Sequence, residues 1–206
     1  MNRRERDLVS LFNTLWFRDF PITPVHTDFG RRAVWTTHIA SVIKQAADLL
    51  GYFTCFETGN RTDAVIQTAK RRSWAKIEWE WIQPRFEARV NEIQKLSDAS
   101  KLDPEALSVY IGYSDIRHHD ANLESIQSQW TSSGQLIAFV IQFEIRGRTR
   151  HFTQLRTYAF RGGEFRLLRK QEALPWNVKD TRWQLVATAA RLEDSGAAEL
   201  GDGDDE

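Results

Sequence analysis

A single α/β domain, with a mixed central sheet flanked by helices and a C-terminal antiparallel meander, is the fold class this sequence predicts. Three observations carry it. Helix-period and strand-period segments interleave along the chain in the order α-α-β-β-β-α-β-α-β-β-β-α, with no repeat and no inner linker. The 206 residues fit one domain of ordinary size. Hydrophobic residues at 41% and charged residues at 27%, with eight Trp and twelve Phe, supply a sizeable core and exclude a wholly disordered chain.

Residues 1–20 read as an amphipathic helix, because Leu8, Leu11, Phe12, Leu15 and Trp16 recur at helical spacing. Pro21 and Pro24 end it. A second helix is expected over 36–50, capped by Thr36 or Thr37, striped by Ile39, Val42, Ile43, Ala46, Ala47 and Leu50, and stopped by Gly51. Three strands follow at 52–57, 62–67 and 74–81, with turns at Gly59-Asn60 and 70–73.

After Pro84 a helix is expected over 85–97, carrying Phe86, Val90, Ile93 and Leu96 on one side. Leu107 to Tyr113 is a β-prone run, a helix fits 121–130, and Leu136 to Ile145 is the most apolar strand. Arg146-Gly147-Arg148 turns it into 151–160, and Gly162-Gly163 turns that into 164–170. A last helix over 178–193 packs through Trp183, Val186 and Leu192. The domain then spans 1–192, with an N-terminal helix and loop at 1–24, a core at 36–145, and a meander and helix at 146–192.

The formal net charge of zero hides an asymmetry. Residues 193–206 carry seven acids and no Lys or Arg, so they read as an acidic disordered tail. The remaining 21 acids face all 28 bases, leaving +7 on residues 1–192. A basic body favours polyanionic partners, nucleic acid first, and the tail either competes for the same surface or serves solubility. Cys55 is the only cysteine, which rules out an intramolecular disulfide and a Cys-based zinc site and leaves the thiol as a small core residue. No apolar run of membrane-spanning length exists, and the charged first residues lack an apolar signal segment, so a cytoplasmic location is expected.

Chemistry concentrates on the second and third strands. Alternation places Lys76, Glu78 and Glu80 on one face of the third strand and Ile77, Trp79 and Trp81 on the other. Glu78 and Glu80 then stand about 7 Å apart along the strand, able to face one cleft. Asp63 interrupts an apolar β-prone run, which is costly unless the acid is paired or bound to a cation. If the hairpin aligns the strands, Asp63 and Glu78 converge, and two carboxylates completed by water are what Mg²⁺ requires. An ordinary half-exposed strand, Trp inside and Glu in water with Lys76 beside Glu78, has the same pattern.

The runs Arg61-Thr62-Asp63-Ala64-Val65-Ile66 and Ala75-Lys76-Ile77-Glu78-Trp79-Glu80-Trp81 resemble the PD-(D/E)XK nuclease signature. The order helix, three strands, helix, strand over residues 36–145 is similar to the core of that restriction-endonuclease-like fold. The resemblance implies a metal-dependent endonuclease acting on DNA, with RNA left open, in which Asp63 and Glu78 hold Mg²⁺ or Mn²⁺. Glu80 falls where the family usually has Lys, and Thr62 stands where it has Pro. Some restriction enzymes carry Glu-x-Glu or Glu-x-Gln at that place, so Glu80 is one catalytic candidate. Lys95, on the following helix, is a second, as a migrated ammonium; Lys76 lies at the wrong end of the motif. Lost catalysis is the remaining reading, leaving a nucleic-acid-binding or protein-interaction module.

Basic residues cluster at turns, and Lys70, Arg71, Arg72 and Arg148 are the candidates for holding a phosphate backbone, beside Arg31-Arg32, Arg146, Arg150 and Arg166/Arg169/Lys170. His118-His119-Asp120 has metal-ligand residue types but reads as a surface loop, and Glu57 reads as a turn residue. Phe and Trp within periodic elements are assigned to the core. A homodimer is compatible with the fold class.

Overall fold

The computed structural model describes residues 3–21, 32–58, 62–86, 91–146 and 149–185. Seven strands form one sheet in sequential order: β1 (Phe53–Thr58), β2 (Thr62–Gln67), β3 (Ser73–Glu80), β4 (Leu107–Asp115), β5 (Leu136–Arg146), β6 (Thr149–Arg161) and β7 (Glu164–Glu172). β1, β2 and β3 run antiparallel, β3, β4 and β5 parallel, and β5, β6 and β7 antiparallel again, so the sheet is mixed. Parallel neighbours need crossover helices. α3 (Glu92–Leu102) joins β3 to β4, and α4 (His119–Gln129) joins β4 to β5.

Both crossover helices lie on one face, where Ile93, Leu96, Leu123 and Ile126 pack with Tyr110, Ala138, Val140 and Tyr158. α1 (Arg3–Arg18) and α2 (Arg32–Leu49) cover the other face, over Ile77, Val109, Ile111, Phe139 and Ile141. Strand residues alternate between these two cores, as a sheet buried on both sides demands. Trp16 stacks on Trp35 at 5.7 Å and donates its Nε1–H to the Ala173 carbonyl at 2.8 Å, which fixes the chain after β7. Among the described residues no helix is long and apolar enough to cross a membrane.

Several boundaries differ from the sequence expectation. α2 includes Thr36 and Thr37 in its interior instead of being capped by them, because its apolar stripe already includes the buried Trp35. It ends as expected: Gly51 takes φ 75°, and the Tyr52 N–H bonds to the Ala47 carbonyl while the Gly51 N–H bonds to that of Asp48. The helix expected over 85–97 is a short 3₁₀ turn at Pro84–Phe86, and α3 begins later. Asn91 caps α3 by accepting the Gln94 N–H at 2.9 Å, so the helix runs to Leu102. Phe86 is left exposed, and Val90 is outside the described residues. Of the expected last helix, residues 183–185 are helical with Trp183 only half-buried; Val186, Leu192 and the acidic tail lie outside the described residues.

Candidate active site

The β2–β3 ladder pairs Ala64 with Ile77, and that register sets Asp63 opposite Glu78. The regular pairing stops there, and side chains take over the backbone bonds. The Trp79 N–H donates to Asp63 Oδ2 at 2.8 Å, and the Asp63 N–H approaches Glu78 Oε2 at 3.4 Å. Each carboxylate thus caps the other strand at the open end of the hairpin. The expected convergence of Asp63 and Glu78 is found, on the face covered by α3.

α3 contributes the counter-charge. Lys95 Nζ lies 2.9 Å from Glu78 Oε2 and 2.5 Å from Glu92 Oε2. Glu92 occupies the first turn of α3, one helical turn before Lys95, so one ammonium serves two carboxylates. The Glu78 side chain is 1% exposed, and its Oε1 is buried without a hydrogen-bond partner. Burial, then the neighbouring Glu92, pushes the Glu78 carboxyl up to about 9. Burial also raises Asp63, against the lowering effect of the Trp79 N–H. Burial opposes the charge of Lys95, but its bonds to Glu92 and Glu78 outweigh that and raise its pKa.

Glu80 does not join Glu78. Its Oε1 accepts the Ile82 N–H at 3.0 Å and lies 3.6 Å from the Arg32 guanidinium of α2. β3 ends at Glu80, and the bend at residues 81–82 brings the Ile82 N–H within reach of this carboxylate, which is held there and by Arg32 rather than beside α3. Lys76 keeps to the α3 face but binds Asp103 at 3.3 Å and the Ala99 carbonyl, toward the other end of the helix.

A cleft of about 380 Å³ opens at the carboxyl end of β3, the end where open α/β sheets place ligands. Asp63, Glu57, Glu80 and Glu92 line it with Arg32, and Phe56, Trp79, Trp81 and Tyr113 form its apolar walls. Glu78 stands behind this lining. Glu57, expected as a simple turn residue, holds φ 49° at the rim, a left-handed conformation that favours glycine. Among the described residues no group of three or more His, Cys, Asp or Glu side chains is arranged to hold a metal ion. Asp63 Oδ2, Glu78 Oε2 and Glu92 Oε2 are engaged by the Trp79 N–H, the Asp63 N–H and Lys95 instead, and Glu78 Oε1 is left without a partner.

Lys70, Arg71 and Arg72 occupy the closed end of the hairpin, whereas Asp63 and Glu78 sit at its open end. Thr68 lies five residue steps from Asp63, about 17 Å along the strand, so these bases do not border the cleft. Arg148 and Arg31 lie outside the described residues. Arg150 is no free surface base: its guanidinium packs 4.1 Å over Trp81 and 4.5 Å from the Phe143 ring centre and donates to the Trp81 carbonyl at 2.9 Å. Cys55 is half-buried rather than core, with Sγ 3.7 Å from Gln67 Oε1.

His119 overturns the surface expectation. It is buried between Ser114 Oγ at 3.1 Å and the Tyr158 hydroxyl at 2.7 Å, in a network continued by Asn122 and Gln83. Glu92 was not among the sequence candidates, because a helix begun at Pro84 buries its position in mid-helix. The Asn91-x-x-Gln94 spacing, which resembles a capping box, is the signal that marks it. Arg32 is marked in the sequence as part of the Arg31-Arg32 basic pair, whereas the sequence assigns the Phe and Trp residues that wall the cleft to the core.

No protein-family model matches this chain, and no curated protein matches it by sequence.

Proposed function

We propose that this chain is a divalent-metal-dependent nuclease with a restriction-endonuclease-like core. The observation that supports it is the Asp63–Glu78–Lys95 cluster, assembled by a helix-strand-strand-strand-helix-strand unit at the open end of a hairpin. Asp63 and Glu78 would hold Mg²⁺ or Mn²⁺. Two features fit a divalent cation: Glu78 Oε1 is an orphaned buried acceptor, and Asp63, Glu78 and Glu92 outnumber the one ammonium of Lys95. When bound, such an ion lowers the pKa of its water and offsets charge on a phosphodiester.

The chain's own residues set the stage for that chemistry. Lys95 stands where a cation orients water beside the Glu78 carboxylate, replacing from α3 the lysine that the strand motif lacks. Glu92 holds Lys95 in place. Glu80 anchors Arg32 at the cleft mouth, where a guanidinium meets a phosphate oxygen. Lys70, Arg71 and Arg72 are exposed about 17 Å away, a distance at which a nucleic-acid backbone is still followed.

Incubation of the purified chain with plasmid and single-stranded DNA in Mg²⁺ or Mn²⁺, against EDTA, tests this reading. Cleavage is expected with either ion, and Asp63→Asn or Glu78→Gln should slow it at least about a hundredfold. A folded chain inert on every DNA and RNA substrate in Mn²⁺ rejects the nuclease. The seclusion of Glu78 behind the cleft lining favours one second reading, a nuclease-like binding module without catalysis. Salt-steep nucleic-acid binding indifferent to Asp63→Asn, with no cleavage, identifies it.

A further inference from the structure

We infer that the cleft receives an unpaired, unstacked nucleobase, so that the substrate is a single strand or a duplex opened at the point of attack. This rests on the reading above that a nucleic acid enters here. The walls carry the argument. Phe56 is 41% exposed at the mouth, and Trp79 meets it edge-on at 6.5 Å between ring centres. Trp79 and Trp81 are half-buried against the same core and both line the cleft. Trp81 is fixed in place by Arg150 over its ring and by Tyr113, another wall of the cleft, at 4.5 Å. Rigid aromatic faces of this kind stack on bases of any sequence.

Size and charge exclude the paired form. About 380 Å³ is the scale of a small-molecule pocket, enough for one nucleotide and not for a double helix. Among the described residues the lining also sets four carboxylates, Glu57, Asp63, Glu80 and Glu92, against the guanidinium of Arg32. A duplex brings two phosphate backbones to that negative rim, and a single strand brings one. Stacking then supplies the affinity that phosphate contacts cannot supply at an acidic mouth, and it draws the scissile backbone toward Asp63.

The test uses the full chain with Ca²⁺ in place of Mg²⁺ and labelled oligothymidylate, a blunt duplex, and the same duplex with a central unpaired loop. Fluorescence anisotropy should show the single strand and the looped duplex bound at least about tenfold more tightly than the blunt duplex. Phe56→Ala should weaken only the first two, by about fivefold or more, and oligothymidylate should quench tryptophan emission. Phe56 is exposed, so its truncation leaves the fold intact, and Trp79→Leu supplies a second variant. Equal or tighter binding of the blunt duplex, or affinity unchanged in both variants, overturns the inference. In Mg²⁺, equal cleavage of blunt duplex and single strand overturns it while leaving the nuclease standing. Loop-selective binding without cleavage in Mn²⁺ supports it and rejects the nuclease.

Discussion

Lys95 Nζ lies 2.9 Å from Glu78 Oε2, so the start of α3 is tied to β3 through a carboxylate that is otherwise sealed from water. Removing the ammonium leaves the buried oxygens of Glu78 and Glu92 without their shared donor. Lys95→Met should therefore cost about 1–3 kcal/mol in urea unfolding near neutral pH. The same change in a Glu78→Gln background should cost clearly less, since the amide needs no counter-charge. Additive losses in that double-mutant cycle would show that the two groups are not coupled.

Asp63 separates two roles that are easily confused. Its Oδ2 accepts the Trp79 N–H at 2.8 Å where the β2–β3 ladder ends. An asparagine keeps a carbonyl oxygen for that N–H, so Asp63→Asn should change stability by less than about 1 kcal/mol while removing the charge. Asp63→Ala leaves a half-buried N–H without its acceptor and should cost about 1–2 kcal/mol. Thermal unfolding of the two variants side by side checks this, and equal losses would mean that charge, not the bond, matters to the fold.

The order of elements was legible because strand and helix periods differ and each apolar face is buried. Asp63 stood out for the same reason: an acid among Ala64, Val65 and Ile66 breaks the pattern and demands a partner, which the Trp79 N–H supplies. Glu80 was not legible, since strand alternation fixes where a side chain leaves the backbone but not where its carboxylate ends, and the Ile82 N–H and Arg32 draw this one away from Glu78. The source of the ammonium was legible only as one of several options. Choosing Lys95 depends on where α3 starts, and that start is set by Asn91 rather than by the more conspicuous Pro84. The burial of His119 depends on Tyr158, 39 residues away, which no local pattern announces.

Gly112 reports on the packing beside the site. A Cβ built on it would lie 2.5 Å from the Tyr110 ring, because that ring folds along β4 over the glycine two residues on. Tyr110 is paired in register with Glu78 and fully buried, so it cannot swing into solvent. Gly112→Ala should cost about 1–3 kcal/mol through displacement of the ring. Tyr110→Leu in the same chain should relieve much of the clash introduced by the alanine. Calorimetry showing Gly112→Ala at wild-type stability would mean that the ring moves freely.

Acid should weaken the fold through His119, well above the carboxylate range. Burial, then the nearby Arg156, lowers its pKa from 6.5 to about 4, although Asp120 pulls the other way. The folded chain therefore holds His119 neutral between those values, while the unfolded chain takes up a proton. Its contribution is fully present above pH 6.5 and is lost progressively as the pH falls toward about 4. His38, also lowered to about 4 mainly by burial, acts in the same sense and window. Asp115, held at about 2 chiefly by its bonds to Arg117, loses its contribution only at lower pH. Between pH 7 and 4.5 His119 should remove about 1–2 kcal/mol, while Glu78, raised to about 9 by burial, gains stability as the pH falls, so the His119 share is read as the difference between the urea midpoints of the wild type and of His119→Gln across that range. His119→Gln, which retains groups able to bond Ser114 and Tyr158, should remove that share and leave those of His38 and Glu78. An unchanged slope in His119→Gln would mean that the imidazole is protonated in the folded chain, with the Ser114 hydroxyl and Tyr158 both acting as acceptors.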